Sequence, residues 1–482
     1  MFIRGTIAIS IFCFFILSGC MQNLVPAKTT QTAALSVDFN NVIQNDFLGV
    51  NAVYHGFAFM PEEVNKGMND ADRGREFDRV QRIGLNIART WYRPDWACGN
   101  NIYNTFDWTS GKMTALYNWL QAMKNRNVDV ALNLGWWFSG DTSMGSSQNT
   151  TTNPERYAEW VSESLHQIIE VRVYTNVRYG VLFTEPWYGG YYETVVRAIH
   201  NKLVTDGRRN LIKLVGPNNT DGGVGIDWAA NTLNDVIDIY SGHGYSYSYY
   251  TAWFNMFQDM RSKVAFTGKP VWLDEWGMQW ESFRHGASYG NYMGQVVAAS
   301  INAGVQTSLI WLLFDQQYPD PISTATNSDS FYDGVHRWGT CKWPHDTVDN
   351  PTHPYPSWYA FSLLSKYLPG RKGTKVYQTA NGNGVYISAL KTQAGDYSFL
   401  VVNGNLFPGS ISVNLNQSIN KTLYRYLFDP VNIAPTEAAT LIGYSKVFYN
   451  VGNNFTDTIP ADALVIYSSL TGGVNPLHYL RR

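Results

Sequence analysis

Two acids stand in matching settings in this sequence. Glu185 closes the apolar half of the stretch Val177 to Gly190, VRYGVLFTEPWYGG, whose β-branched start has the make-up of a buried strand. Pro186 lacks an N–H and biases the residue before it toward extended backbone, which predicts Glu185 at the strand's carboxyl end and outside any helix. Glu275 repeats the device in Pro270-Val-Trp-Leu-Asp-Glu-Trp-Gly277, an apolar run that reaches an acid just before a glycine. Two strand-end carboxyls can divide the roles of proton donor and nucleophile, the combination that sugar transfer requires.

Such a pair needs a scaffold that presents several strand ends together. From Phe47 the sequence alternates strand and helix. Leu48 to Tyr54, Leu85 to Trp91, Val128 to Trp136, the Glu185 run, Leu211 to Gly216, Val236 to Tyr240, the Glu275 run and Gln306 to Phe314 supply eight strands. Between them, Phe77, Val80 and Ile83 mark a helix stopped by Gly84, and Leu116, Trp119, Leu120 and Met123 share one face at helical spacing. Asn153 before Pro154 and Glu155 is an N-cap signature for another. Eight such units over residues 47–370 predict an α/β fold, a closed (β/α)8 TIM barrel. An open sheet would usually show a Gly-rich phosphate turn after the first strand.

Beyond Pro369-Gly370 the period changes to two. Gly384 to Leu390, Tyr397 to Val402, Ile411 to Leu415, Leu423 to Phe428 and Ala463 to Tyr467 are short strands between Gly, Asn and Pro turns, which predicts a C-terminal antiparallel β-sandwich over 371–482. Ala34 to Phe39 alternates in the same way, so residues 34–46 are expected to cross over and join it.

The 482 residues carry a net charge of −2, with 36 basic and 38 acidic side chains, so nothing marks a nucleic-acid partner. Aromatics stand out instead. Seventeen Trp and 31 Tyr exceed what a core needs, and flat rings with a polar edge suit the apolar faces of sugars. Residues 1–20 combine Arg4 with an apolar run from Ile7 to Leu17 and end in Leu-Ser-Gly-Cys20, which resembles the bacterial lipobox. That resemblance implies export and a lipid anchor on Cys20, with residues 21–33 as a tether and the cell envelope, outer membrane or cell surface as the location. Cys98 and Cys341 then remain, and a disulfide between them is expected, with two buried free thiols as the alternative. No His, Cys or carboxylate spacing matches a dedicated metal site, and no cofactor is expected.

Functional residues of a parallel barrel sit where its strands end. Those tips hold His55, Arg89, Trp91, Trp136, Trp137, Glu185, Trp187, Asn218, Asn219, His243, Tyr245, Glu275, Trp276 and Trp311. In strand order, Arg89 in IARTW, Glu185 in TEPW, His243 and Tyr245 in HGY, Glu275 in LDEWG, and Trp311 resemble the clan A retaining glycoside hydrolases, including families 5, 30, 39 and 79.

The resemblance implies that Glu275 attacks the anomeric carbon of a β-linked glycan and that Glu185 is the acid/base. Arg89 and Tyr245 would stabilise the Glu275 anion, whose charge would raise the proton affinity of Glu185. Arg89, Trp91, Trp136, Trp137, Thr184, Trp187, Asn218, His243, Tyr245, Trp276 and Trp311 would line the substrate site. One departure is Thr184, where most clan members have an Asn that binds the sugar 2-hydroxyl; Asn218 or Asn219 could take over that contact. Asp274 competes with Glu275 for the nucleophile's place, but strand alternation should turn it away from the mouth.

Loop aromatics Trp96, Trp187, Trp280, Trp338 and Trp343 favour a cleft and endo action, whereas a pocket closed by the same loops would mean exo action. Two rival readings use the same residues. One is a surface glycan-binding protein on an inactive barrel, and the other is a transglycosylase.

Overall fold

An N-terminal strand, β1 (Thr32–Gln44), precedes eight short parallel strands that close into a barrel: β2 (Val50–Val53), β3 (Ile87–Tyr92), β4 (Asp129–Leu134), β5 (Val177–Val181), β6 (Lys213–Asn219), β7 (Ile239–Tyr245), β8 (Val271–Gly277) and β9 (Thr307–Ile310). The structure is a computed structural model that describes residues 32–60, 68–98, 105–135, 153–186, 189–220, 223–245, 249–317, 335–345 and 350–471. Four of the eight barrel strands, β2, β3, β8 and β9, are buried along their whole length, as expected for strands covered on one side by helices and filled on the other by side chains. The barrel closes where β2 meets β9, with Val50 opposite Ser308 and Ala52 opposite Ile310. Asn51 clips that seam. Its amide donates to Leu48 O and Thr307 Oγ1, each at 2.9 Å, and its Oδ1 accepts the N–H groups of Asn86 and Ile87 at 3.1 and 2.8 Å. Every polar atom of this buried side chain is therefore paired, which is what makes an Asn tolerable there.

The helices begin and end where local chemistry says they should. Asn69 and Asp72 form a reciprocal capping box on Asp70–Ile83, and Gly84 ends it at φ +65°. Gly111–Asn125 starts from the Ser110 cap and buries Leu116, Trp119, Leu120 and Met123. Pro154–Leu165 opens with Asn153 accepting the Arg156 N–H. Among the described residues no helix is long and apolar enough to cross a membrane.

After a short pair, β10 (Gln316–Gln317) and β11 (Val335–His336), and the helix Pro356–Tyr367, come β12 (Lys375–Ala380), β13 (Val385–Lys391), β14 (Tyr397–Asn403), β15 (Gly409–Leu415), β16 (Lys421–Phe428), β17 (Tyr444–Val451), β18 (Asn454–Ile459) and β19 (Leu464–Ser468). Together with β1 they form one nine-stranded sheet in the order β17-β16-β19-β14-β13-β12-β1-β15-β18. It folds over on itself as a sandwich: Phe448 and Phe455, from the two ends of that order, have ring centroids 5.7 Å apart. The sheet is antiparallel except where β1 runs parallel to β15, with Ala34 opposite Ser412. Three of its strands, β12, β17 and β18, are absent from the sequence reading. Tyr444–Val451 is largely exposed along its length, so it lacks the apolar alternation by which a strand is recognised.

The sandwich seats on the barrel through the helix Tyr289–Asn302. A Cβ on Gly290 would lie 2.4 Å from Phe428 Cε1, and one on Gly294 would lie 3.0 Å from Val402 Cγ2. Glycine lets the helix backbone reach the sheet at both points.

The expected disulfide does not form. Cys98 and Cys341 are both buried free thiols; Cys98 Sγ lies 2.7 Å from Pro94 O, whereas Cys341 makes backbone bridges to Phe314 and Pro354. The signal with Cys20 and tether residues 21–31 lie outside the described residues, whereas Thr32 and Ala33, expected in the tether, open β1.

Candidate active site

Arg89 organises the barrel mouth. Its guanidinium is wholly buried and fans out from β3 to four neighbouring strand ends. Nη1 donates to Glu275 Oε2 at 2.8 Å and to Asp274 O at 3.0 Å. Nη2 reaches Asn133 Oδ1 at 3.1 Å, Asn218 Oδ1 at 3.3 Å and Thr184 Oγ1 at 3.4 Å. A planar fork with five donors suits this task, because one buried cation can fix several acceptors at once.

Glu275 is held from both sides. Arg89 takes one carboxylate oxygen, and the Tyr245 hydroxyl donates to the other. Burial, joined by the Glu185 charge, leaves this carboxyl above the usual carboxylate value, although His243, Arg89 and the Tyr245 hydrogen bond each favour the ionised form.

Glu185 lies beyond the regular part of β5. Its N–H donates to Asn218 O at 3.0 Å, and its backbone sits at φ +48°. The extended geometry expected from Pro186 is therefore corrected: the hydrogen bond to the next strand end and a left-handed Phe183 at φ +66° turn the chain sharply here. Tertiary contacts override the local proline bias. The turn leaves the Glu185 side chain 22% exposed, against 6% for Glu275, so Glu185 is the acid that solvent reaches.

His243 ties the two acids together. Its Nδ1 lies 3.0 Å from Glu185 Oε1, and its Nε2 lies 3.5 Å from Glu275 Oε2 and 3.8 Å from Asp274 Oδ1. Burial alone would disfavour the imidazolium, yet the surrounding carboxylates of Glu275, Glu185 and Asp274 outweigh it and lift the ring above the ordinary histidine value. Glu185 responds in the opposite sense. Burial raises it, but the hydrogen bond and charge of His243, followed by Arg89, leave it below the usual carboxylate value. The expectation that Glu275 would raise Glu185 is thus overturned, because an imidazolium in direct contact outweighs the repulsion between the acids.

One carboxylate oxygen from each glutamate and a ring nitrogen of His243 lie within 4.8 Å of one another. Three such atoms could hold a cation, but the Arg89 guanidinium already supplies a positive charge beside Glu275.

The remaining tip residues divide into three groups. His55, Trp91 and Trp311 form an aromatic wall, with His55 stacked on Trp91 at 4.2 Å and Trp311 5.1 Å from Trp91. Thr184 and Asn218 are buried beside Arg89. Asn218 Nδ2 is committed to Asp274, and Asn219 is packed against Gly225, where an added Cβ would strike its amide. Both amide atoms of Asn218 are thus engaged, by Arg89 and Asp274, whereas Asn219 Oδ1 has no hydrogen-bond partner among the described residues. Trp276 is wholly buried, as are Trp96 and Trp343 to within a few per cent. Trp338 lies at the mouth, edge-on to Tyr245 at 5.6 Å. Trp136, Trp137 and Trp187 lie outside the described residues.

Two residues acquire a place that the sequence reading missed. Asn133, the lone amide in the run Val130 to Leu134, donates to Thr184 Oγ1 at 3.1 Å as well as accepting from Arg89. Asp274 is not turned away. Register shifts between Gly242 and His243 and between Leu273 and Trp276 break the two-residue alternation, and both acids of the Asp-Glu pair come to face His243.

No protein-family profile and no curated protein matches the sequence. Solved structures do. A glycoside hydrolase family 30 subfamily 8 xylanase from Clostridium acetobutylicum superposes with a TM-score of 0.60 at 14% identity, covering 90% of this chain and 99% of its own. The chain has the fold of the clan A glycoside hydrolases. Other structures with the clan A fold include an endo-β1,6-glucanase, with TM-score 0.61, 14% identity and coverage of 92% and 96%. A monomeric β-xylosidase from Caulobacter crescentus gives 0.59 at 12% identity, with 90% and 99% covered.

Proposed function

We propose that this chain is a retaining glycoside hydrolase that cleaves a β-linked glycan by double displacement. The observation that carries the reading is the approach of the Glu185 and Glu275 carboxylate oxygens to within 4.8 Å. Retaining enzymes hold their two carboxyls roughly 5–5.5 Å apart, whereas inverting ones leave roughly 6.5–9.5 Å for a water molecule. Glu275, clamped by Arg89 and Tyr245, attacks the anomeric carbon. Glu185, the more exposed acid, gives a proton to the departing oxygen and in the second half takes one from water. Proton NMR of the first product from an aryl β-glycoside tests this: a β-anomer is expected, and an α-anomer would refute retention.

Endo action on a polymer is supported by exposed rings on the same face. Tyr191, Tyr249 and Trp280 are 72%, 71% and 66% exposed, and each stands where the chain leaves β5, β7 or β8 for the following helix. Rings in such places suit stacking against further sugar units. Alanine at these positions should raise KM for xylan, β-glucan or mannan while sparing an aryl glycoside. Equal effects on both substrates would argue for exo action.

The second reading, a glycan-binding protein on an inactive barrel, draws on one specific observation: His243 holds Glu185 below the usual carboxylate value, away from the protonated form that a general acid needs. Binding without turnover across the substrate panel would favour it. We also propose export and lipid anchoring at Cys20, which predicts fatty-acid labelling that Cys20→Ala abolishes.

A further inference from the structure

Asp274 is a third carboxylate in the mouth, with no role in double displacement. It is wholly buried. One oxygen accepts from Asn218 Nδ2, whereas Oδ1 has no hydrogen-bond partner among the described residues. His243 Nε2 lies 3.8 Å from it and is likewise without a hydrogen bond among the described residues. A buried carboxylate oxygen left without a donor is costly, and its alignment on a buried imidazole gives that cost a use.

We propose that Asp274 is a positioning residue that keeps a proton on His243, and that this proton is the one Glu185 delivers to the leaving group. The proposal rests on the hydrolase reading for its second half only. The groups facing the imidazole are Glu185 beyond β5 and Asp274 and Glu275 of β8. Behind them stand Arg89 of β3 and the Tyr245 hydroxyl of β7, both bonded to Glu275. Three acids against one guanidinium leave room for one more positive charge, and the imidazole is placed to carry it.

The proton balance closes. As the glycosidic oxygen arrives, the N–H bond at His243 Nδ1 breaks and an O–H bond forms on Glu185, leaving a neutral imidazole and a neutral carboxyl. That O–H bond then breaks as the leaving oxygen takes the proton, and with it the electron pair of the cleaved C–O bond, while a Glu275 oxygen bonds to the anomeric carbon. In the second half Glu185 takes a proton from water as the water oxygen bonds to the anomeric carbon, the C–O bond to Glu275 breaks with its electron pair returning to that carboxylate, and Glu185 passes the proton back to His243. The net charge of the six side chains and the substrate is the same before and after, and Glu185 and His243, sharing one proton, titrate as a coupled pair.

The test is the titration of His243, followed by NMR of 15N-histidine-labelled full chain and assigned with His243→Gln. In the parent protein the ring should stay protonated above the ordinary value of about 6.5. Asp274→Asn, which keeps an acceptor for Asn218, should lower the midpoint by about one pH unit or more, since it removes a charge close to the ring. The alkaline limb of kcat/KM on an aryl glycoside should move to lower pH with it. A parent midpoint at or below the ordinary value overturns the proposal, whether or not the variant folds. An unmoved midpoint in a folded Asp274→Asn does so too. If the midpoint moves but the parent turns over no glycoside, the Asp274–His243 coupling stands and the hydrolase reading falls.

Discussion

Arg89 and Glu275 form an ion pair at 2.8 Å with side-chain exposures of 0% and 6%. Breaking a buried pair by removing one partner strands the other charge and typically costs about 3–5 kcal/mol. Arg89→Leu should therefore lose stability of that order in urea unfolding. Arg89→Lys should retain a charge but lose the fork that also fixes Asn133, Thr184 and Asn218. Its kcat should fall by about 100-fold or more. A loss below tenfold with parental stability would show that the guanidinium is not the organiser of the mouth.

The two glutamates should respond differently to azide. Glu275→Ala removes the nucleophile, so turnover should vanish and azide should yield no glycosyl azide of retained configuration. Glu185→Ala should still form the intermediate from substrates with good leaving groups, with deglycosylation slowed by about 10²–10⁴-fold and azide accelerating it. Equal, azide-insensitive losses would count against the assignment of roles.

Asp315 should make stability fall as pH rises. It accepts the Gly339 N–H at 2.7 Å and the Tyr355 hydroxyl at 2.9 Å, and burial pushes its carboxyl up to about 7. With the folded value above the unfolded one of about 3.9, the acid costs nothing when protonated in both states. Its cost grows as pH climbs from the unfolded toward the folded value. Asp315→Asn can keep both hydrogen bonds without the charge. Its stability advantage over the parent should widen between pH 5 and pH 8 by on the order of 2 kcal/mol, and a constant gap in chemical denaturation would be the contrary result.

Gly290→Ala should loosen the seat of the sandwich. The new methyl would lie 2.4 Å from Phe428 Cε1 and 2.8 Å from Ala360 Cβ, and overpacking of this kind costs about 1–3 kcal/mol. Thermal unfolding should show the drop; an unchanged Tm would mean the helix and sheet part without penalty.

Much of the barrel was legible because its signals are local. Gly84 and Asn153 mark helix ends through their own backbone and side-chain chemistry, and Leu116, Trp119, Leu120 and Met123 declare a buried face by spacing alone. β17 was not legible, since its exposed residues carry no alternation. Asn133 was overlooked because a single amide in an apolar run gains meaning only when Arg89 arrives from the neighbouring strand.

By itself, the sequence determined that eight strand ends would share one mouth and that Glu185, Glu275, Arg89, His243 and Tyr245 would be among the residues at those ends. Periodicity and breaker residues fix such placements within short stretches of chain. Only the tertiary structure decided which charges surround His243. The register shifts beside His243 turn Asp274 toward the imidazole, and the left-handed turn at Glu185 brings that acid onto the same ring. Proton affinity depends on charges a few ångströms apart in space, and those distances belong to residues more than thirty positions apart in the chain.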